Sequence, residues 1–335
     1  MRTTGHLRRF FLVPCILFLS SPLLPATAAG FDTSRDDISG FIDEMVAKHA
    51  FDRDYLERAF VAAESKQRIL DAISRPAEKT LTWPEYRRIF VRPEKIRAGV
   101  EFWQAHGDDI AAVSEATGVT PEILVGIIGV ETNFGSNTGG YRVIDALATL
   151  AFDYPPRARF FRQQLEEFLL LVREEGMDAL TPTGSYAGAM GRPQFMPGSF
   201  RAYAVDSDGD GRRDIWENWR DVLGSVANYF VVHGWQEGNE VAAVAEFGED
   251  WQGTVPPNSL KADSTVGALR EQGVQFESAM PADHPARIVT FELGDGQDYQ
   301  IGFHNFFVIT RYNRNVMYAL AVHEMGQAIA AEYRQ

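Results

Sequence analysis

Residues 123–130 read Ile-Leu-Val-Gly-Ile-Ile-Gly-Val, an almost unbroken apolar run that ends on an acid, Glu131, followed at once by Thr132-Asn133-Phe134-Gly135. The run reads as a helix. Thr120 is a candidate N-cap, Pro121 suits the first helical position, Glu122 favours the first turn and Gly135 is a candidate terminator. Glu131 then falls in the last turn, beside open space rather than deep in packing. A carboxyl group rarely ends so hydrophobic a segment without a partner or a task. Partial burial disfavours the ionised form, and an acid that keeps its proton at neutral pH is what a general acid for glycosidic cleavage requires. The competing reading is a glutamate at a helix end that points to water, and this segment alone leaves both open.

With 335 residues, 45% of them hydrophobic and 12% aromatic, the chain can bury a sizeable core and is long enough for two or three domains. Its net charge of −14, with no basic stripe, excludes nucleic acid as an expected partner. Arg2, Arg8 and Arg9 precede an apolar stretch from Phe10 to Leu24 and a small-residue site, Ala26-Thr27-Ala28-Ala29. This is the pattern of an export signal over 1–29. The alternative, a membrane anchor, is disfavoured by the shortness of the stretch and by Pro14, Pro22 and Pro25. Without the segment, 29 basic residues stand against 46 acidic ones, and the charge is −17. The only cysteine, Cys15, lies inside the signal, so no disulfide is expected in the remainder. Lipid attachment at Cys15 is disfavoured by the preceding Leu12-Val13-Pro14. No other stretch is long and apolar enough to span a bilayer.

The pattern from Asp36 to Ile73 is helical, with Ile38, Phe41, Met45 and Val46 at helical spacing. Helices are also expected from Pro93, over 145–152, from Pro156 to Glu175, from Asp221 to His233 and from Asn313 to Tyr333. Asp145 is expected to cap its helix. Gly184 to Pro197, rich in glycine and proline, reads as an ordered loop with close backbone approaches. Residues 240–290 look strand-rich, and Phe306 to Thr310 reads as a strand or as the start of the last helix.

The strongest pattern is Asp206-Ser207-Asp208-Gly209-Asp210-Gly211-Arg212-Arg213-Asp214-Ile215-Trp216-Glu217, which fits the calcium-loop pattern D-x-[DN]-x-[DN]-G-x5-E. Asp206, Asp208 and Asp210 converge in a tight loop and Gly211 permits its turn. The Arg212 carbonyl continues the shell, Asp214 adds to it directly or through water, and Glu217 can bind with both oxygens. Five carboxylates brought together without a cation would repel strongly, so a hard, oxygen-seeking ion is implied, and calcium in a structural role is the expectation. The alternative is a solvated acidic turn.

Next to this loop stands Gly184-Ser185-Tyr186-Ala187-Gly188-Ala189-Met190-Gly191-Arg192-Pro193-Gln194-Phe195-Met196-Pro197. Together with Gly-Val-Glu-Thr-Asn-Phe-Gly around Glu131 and the calcium loop, in that order, it resembles the membrane-bound lytic transglycosylase B family, which cleaves bacterial peptidoglycan. The resemblance runs from about Phe31 to the C-terminus and includes Val226-Ala227-Asn228-Tyr229-Phe230 with His233-Gly234-Trp235, and Arg311-Tyr312-Asn313. It implies an α+β, mainly α fold, with a lysozyme-like core, an N-terminal α-helical domain, a small β insertion and an EF-hand-like calcium loop. The corresponding division is 30–95 helical, 96–238 catalytic core with the loop at 206–217, 239–300 β, and 301–335 the end of the core. By position, Glu131 is the acid and base, while Ser185, Met190, Gln194, Tyr229, Tyr312, Tyr318 and Tyr86 match positions lining the family's sugar cleft. Arg192 and Gly198 fall where variation is expected. The lipidated cysteine of the membrane-attached members is missing, which points to the soluble periplasmic ones. Peptidoglycan strands are the implied substrate, other cell-wall enzymes are further candidate partners, and no organic cofactor is implied.

A glycosidase ordinarily needs two carboxylates, about 5 Å apart for retention and further for inversion. Asp145 and Asp153 are the nearest in sequence, and neither context marks a nucleophile. A lytic reaction, in which the muramic C6 hydroxyl attacks C1 of its own ring, needs neither second carboxylate nor water. The competing readings are a muramidase that uses water and a non-catalytic peptidoglycan-binding protein.

Overall fold

The computed structural model describes residues 30–74, 81–248, 251 and 253–335; the expected export signal and Cys15 lie outside the described residues. Three N-terminal helices, α1 (Asp36–His49), α2 (Arg53–Ala62) and α3 (Gln67–Ile73), precede α4 (Trp83–Phe90), the long α5 (Pro93–Thr117) and α6 (Pro121–Thr132). Then follow β1 (Tyr141–Arg142), α7 (Val143–Phe152), α8 (Ala158–Glu174), β2 (Thr183–Gly184), α9 (Pro197–Tyr203) and α10 (Trp219–Val232). A smaller unit contains β3 (Ala242–Val244), β4 (Glu246–Phe247), β5 (Ser264–Thr265), α11 (Val266–Glu271), β6 (Val274–Gln275), β7 (Pro285–Glu292) and β8 (Gln297–Phe303). The chain closes with α12 (His304–Ile309) and α13 (Val316–Tyr333). Phe306 to Thr310 is thus neither a strand nor the start of the last helix. It lies in and just after a short helix separated from α13 by a turn.

The apolar run becomes α6, buried from Ile123 to Gly129. A helix apolar all round can be satisfied only at the centre of a bundle, and α6 crosses α13 there at backbone contact. A Cβ added at Gly126 would lie 2.4 Å from the Val322 carbonyl oxygen, and one at Gly326 would lie 2.2 Å from that of Glu122. Only glycine permits this approach. Thr120 holds the N-cap position but its side chain makes no capping bond, and Pro121 occupies the first turn.

The N-terminal helices dock on α7 and α8 through a cluster of rings. Phe152 lies 6.1 Å from Phe31 and 5.9 Å from both Phe41 and Phe60, mostly edge to face. Two acids reinforce the joint. Asp145 does not cap α7, whose N-cap position is Arg142; its buried carboxylate accepts the Glu64 N–H at 2.9 Å and Arg142 Nε at 2.9 Å. Asp153 accepts from Arg35 Nη1 at 2.9 Å and from the Ser65 hydroxyl at 2.7 Å.

The four-stranded sheet is antiparallel with order β3-β8-β7-β5. Side chains alternate across β7 with the strand period of two. Ala286 and Ile288 enter a small core with Val266, Leu269, Ile301 and Phe303, whereas Val289 and Phe291 join the main helical core. Phe291 meets Trp83 of α4 at 5.3 Å, so the sheet braces that helix. Among the described residues no single helix is long and apolar enough to cross a membrane; α5 and α6 reach that measure only as a pair bent by 118°.

The glycine crossing yields a direct expectation. Gly326→Val should destabilise the protein by about 2 kcal/mol or more, because the added carbons must push two backbones apart, and denaturant unfolding against Gly40→Val, at an exposed position of α1 with open space around it, would measure it. Equal stability of the two variants would contradict the close crossing.

Candidate active site

Glu131 is half-buried, one residue before the end of α6. The chain then reverses through three consecutive left-handed residues, Asn133, Phe134 and Gly135, with φ of 49°, 59° and 80°. Two of the three carry side chains, so the turn is strained and must be held from outside. Thr132 does this. Its buried hydroxyl lies 3.1 Å from the Arg192 carbonyl, to which it donates, and its oxygen accepts the Gly135 N–H at 3.1 Å. The 184–197 loop is thereby fixed beside the glutamate.

That loop closes on itself. Met190 and Phe195 exchange backbone bonds of 2.8 and 3.1 Å, and Ser185 Oγ accepts the N–H groups of Ala187 and Ala189 at 3.3 and 3.1 Å. With its acceptor capacity used inside the loop, Ser185 keeps its hydroxyl proton for an outside partner. Gln194 sits at φ 53°, and its Nε2 donates to the carbonyls of Thr138 at 3.1 Å and Gly191 at 2.8 Å. Both amide protons are committed, so Gln194 can offer a substrate only its carbonyl oxygen. Met190 is wholly buried, and its side chain belongs to the core beneath the loop.

From the other side, α13 presents Tyr318, whose buried hydroxyl donates to Glu131 Oε1. Tyr312 stacks on Tyr318 at 6.5 Å with 13° between the planes and donates to the Pro193 carbonyl at 2.5 Å. Tyr229 lies 4.9 Å from Tyr312 and donates to the Arg311 carbonyl at 2.5 Å. Burial first, then the charge of Glu131, holds the Tyr312 and Tyr318 hydroxyls well above the usual phenol range. Burial and the neighbouring Tyr203 push Tyr229 to about 12. All three therefore act as donors at neutral pH. Tyr86, buried on α4, also acts electrostatically on Tyr318, and Arg87 pairs with Glu324 to hold α4 against α13.

Asp206, Asp208, Asp210 and Asp221 form the second notable cluster, each offering a carboxylate oxygen within 4.8 Å of the others. Gly209 and Gly211, at φ 80° and 90°, turn the loop, and Asp206 accepts both of their N–H groups at 2.7 and 2.8 Å. Asp221, in the first turn of α10, is fully buried and accepts the N–H groups of Ser207 at 2.7 Å and Asp214 at 2.9 Å. Burial raises its pKa despite these bonds, and the charges of Asp208 and Asp206 add to the rise. The side chain of Glu217 is 81% exposed and pairs with Arg192 at 3.1 Å, away from the cluster. Asp214 Oδ1 accepts the N–H groups of Trp216 and Glu217 at 2.8 and 2.9 Å. Arg212, Asp214 and Glu217 line a neighbouring cavity of about 430 Å³. Three nearby cations are committed elsewhere: Arg213 to Glu175, Arg220 to Asp109 and Arg192 to Glu217. Among the described residues none of the four aspartates forms an ion pair with a lysine or arginine, and an all-oxygen donor set of this kind suits a hard divalent ion.

Residues 33–327 match the model of the transglycosylase SLT domain. The chain belongs to this family. It is 42% identical over 301 residues to the membrane-bound lytic murein transglycosylase B of Escherichia coli K12, covering 87% of this chain and 81% of that protein. The solved soluble lytic transglycosylase SltB1 of Pseudomonas aeruginosa is 48% identical, with a TM-score of 0.83 over 89% of this chain and 99% of that one. The lytic transglycosylase Slt35 of Escherichia coli in complex with calcium is 39% identical, with a TM-score of 0.81 over 92% and 97% of the two chains. The transglycosylase has a mainly α, lysozyme-like helical core carrying a small β-sheet.

The structure gathers Glu131, Tyr318, Tyr312 and Tyr229 in one connected row and sets the Ser185–Gln194 loop against the end of α6. Asp221 was not singled out by the loop pattern, which ends four residues earlier. Its signal was the segment Asn218-Trp219-Arg220-Asp221, where the Asn218 side chain caps α10 by accepting from Arg220 and Asp221. Arg192, expected to vary, packs 4.2 Å over the Trp219 ring and bonds the Glu217 carbonyl at 2.7 Å, joining the acidic loop to the segment that holds Thr132. Removing the Tyr318 hydroxyl should leave the fold intact and loosen the carboxyl group. Tyr318→Phe is expected to lower kcat about 100-fold with little change in KM, as read by steady-state turnover alongside thermal unfolding. Unaltered turnover would show that this bond does not serve catalysis.

Proposed function

We infer that the chain is a peptidoglycan lytic transglycosylase in which Glu131 is the sole acid and base. The observation that carries this reading is the Tyr318–Glu131 hydrogen bond, which ties the end of the apolar helix to the aromatic row. The candidates for a second carboxylate, Asp145 and Asp153, are spent on the N-terminal helices.

Glu131 gives its proton to the oxygen linking C1 of N-acetylmuramic acid to N-acetylglucosamine, and that C–O bond breaks as positive charge develops at C1. The now anionic carboxylate takes the proton of the muramic C6 hydroxyl, whose oxygen bonds to C1. A 1,6-anhydro ring results, Glu131 regains its proton and no water is consumed. The nucleophile belongs to the same sugar, so its effective concentration is high. Tyr318 fixes the carboxylate's rotation and stabilises its anionic form by donating to it. Ser185 offers a donor and Gln194 an acceptor to the sugar's N-acetyl and hydroxyl groups, while Tyr229 and Tyr312 provide ring surface beside them.

Asp206, Asp208, Asp210 and Asp221 would hold calcium in an EF-hand-like loop between α9 and α10. When bound, the ion neutralises converging carboxylates and stabilises the loop; it takes no part in proton transfer. The four residue blocks given by the sequence are retained as the domain organisation, supported by the separate small core of the β unit. The export pattern at the N-terminus supports a periplasmic location.

Mass spectrometry of digested peptidoglycan should show anhydromuramyl ends, and Glu131→Gln should remove turnover by at least about 1,000-fold while leaving the fold unchanged. Free reducing ends would instead establish the muramidase, and absence of turnover in the wild type would establish a binding protein. Chelation should lower the melting temperature by several degrees, with calcium restoring it. Asp221→Asn should abolish the calcium response and Glu217→Gln should preserve it. The reverse pattern would return the closing ligand to Glu217.

A further inference from the structure

Between the end of α10, the segment before β5 and α12 lies a cavity of about 320 Å³ lined by His233, Lys261, His304 and Arg311 together with apolar surface from Leu260 and Phe307. No carboxylate lines it among the described residues, although the whole chain carries a net charge of −14. Lys261 and Arg311 are exposed, and among the described residues neither forms an ion pair. The nearest acid in sequence, Asp263, is committed to Arg287. Each histidine is fixed through one nitrogen. His233 Nδ1 donates to the Tyr229 carbonyl and His304 Nε2 to that of Gly234, both at 2.7 Å, so each ring keeps its second nitrogen for another partner. Cations gathered without a counter-charge repel one another, and an anion removes that cost.

The cavity is joined to the active site by a row of rings. Tyr318, bonded to Glu131, stacks with Tyr312, Tyr312 lies 4.9 Å from Tyr229, and Tyr229 stacks on His233 at 4.1 Å. The Arg311 carbonyl holds the Tyr229 hydroxyl in the same row. Resting on the proposed function, we propose that this cavity binds a free carboxylate of the stem peptide carried by a glycan strand in the cleft. Lys261 and Arg311 supply the charge, the histidines supply directed hydrogen bonds, and Leu260 and Phe307 receive small aliphatic side chains of the peptide. The subsite makes the enzyme prefer strands that bear peptides over bare glycan.

The test uses the full mature chain with two substrates, peptide-bearing strands and strands stripped of peptide by an amidase. The double variant Lys261→Gln/Arg311→Gln should raise KM about tenfold on peptide-bearing strands with kcat unchanged, leave KM on bare strands unaltered, and be rescued in part by Lys261→Arg. Equal changes on both substrates, or none, would overturn the proposal. Titration with the free stem tetrapeptide, followed by NMR of the His233 and His304 rings, decides the subsite independently of turnover. Tetrapeptide binding lost in the double variant supports it. Binding of inorganic phosphate without tetrapeptide shows a small-anion site and overturns it, as does no binding at all. Failure of the wild type to cleave either substrate would count against the proposed function, while this titration would still decide the subsite.

Discussion

The backbone contact between α6 and α13 is the constraint from which the active site follows. Gly126 and Gly326 let the two helices meet without intervening side chains. Bulkier residues at the crossing would separate the axes by ångströms, which is more than a hydrogen bond between side chains on the two helices can absorb. Tyr318, in the first turn of α13, reaches Glu131 in the last turn of α6 because the crossing fixes both helices. The acid is thus placed by packing at the core of the molecule.

A second set of contacts holds the surface of the site. The strained reversal after Glu131 is tied to the glycine-rich loop by Thr132, and that loop is tied to the acidic loop by Arg192, whose N–H reaches the Ile215 carbonyl at 2.9 Å. The guanidinium is desolvated against Trp219, which lowers its pKa, yet its bonds to Glu217 keep it in place. Neutralising the Asp206–Asp221 cluster would therefore act on a loop mechanically continuous with the one beside Glu131.

Much of this was legible in the sequence because it depends on local pattern. The helix carrying Glu131, its position in the last turn, the ordered loop at 184–197 and the convergence of Asp206, Asp208 and Asp210 all follow from the apolar run, the proline at its start and turn chemistry, although Thr120 makes no capping bond and Asn133, not Gly135, closes the helix. What was not legible depends on contacts between distant segments. Asp145 looks like a helix cap until Glu64 and Arg142 converge on it. Glu217 fits the loop pattern, but a neighbouring arginine draws it outward while a buried aspartate four residues later turns inward. Met190 was placed in the cleft by resemblance, whereas its side chain is packed in the core. The cationic cavity left no sequence signal because its four basic residues are spread over 79 positions, from His233 to Arg311.

The central claim is that one carboxylate suffices because the nucleophile is the substrate's own C6 hydroxyl. Digestion of peptidoglycan in water enriched in oxygen-18 tests it most directly. The account predicts anhydromuramyl products about 20 Da lighter than hydrolysis in that water would give, with no heavy oxygen at C1. Incorporation of one heavy oxygen per cleaved bond would show that water attacks, and would contradict it.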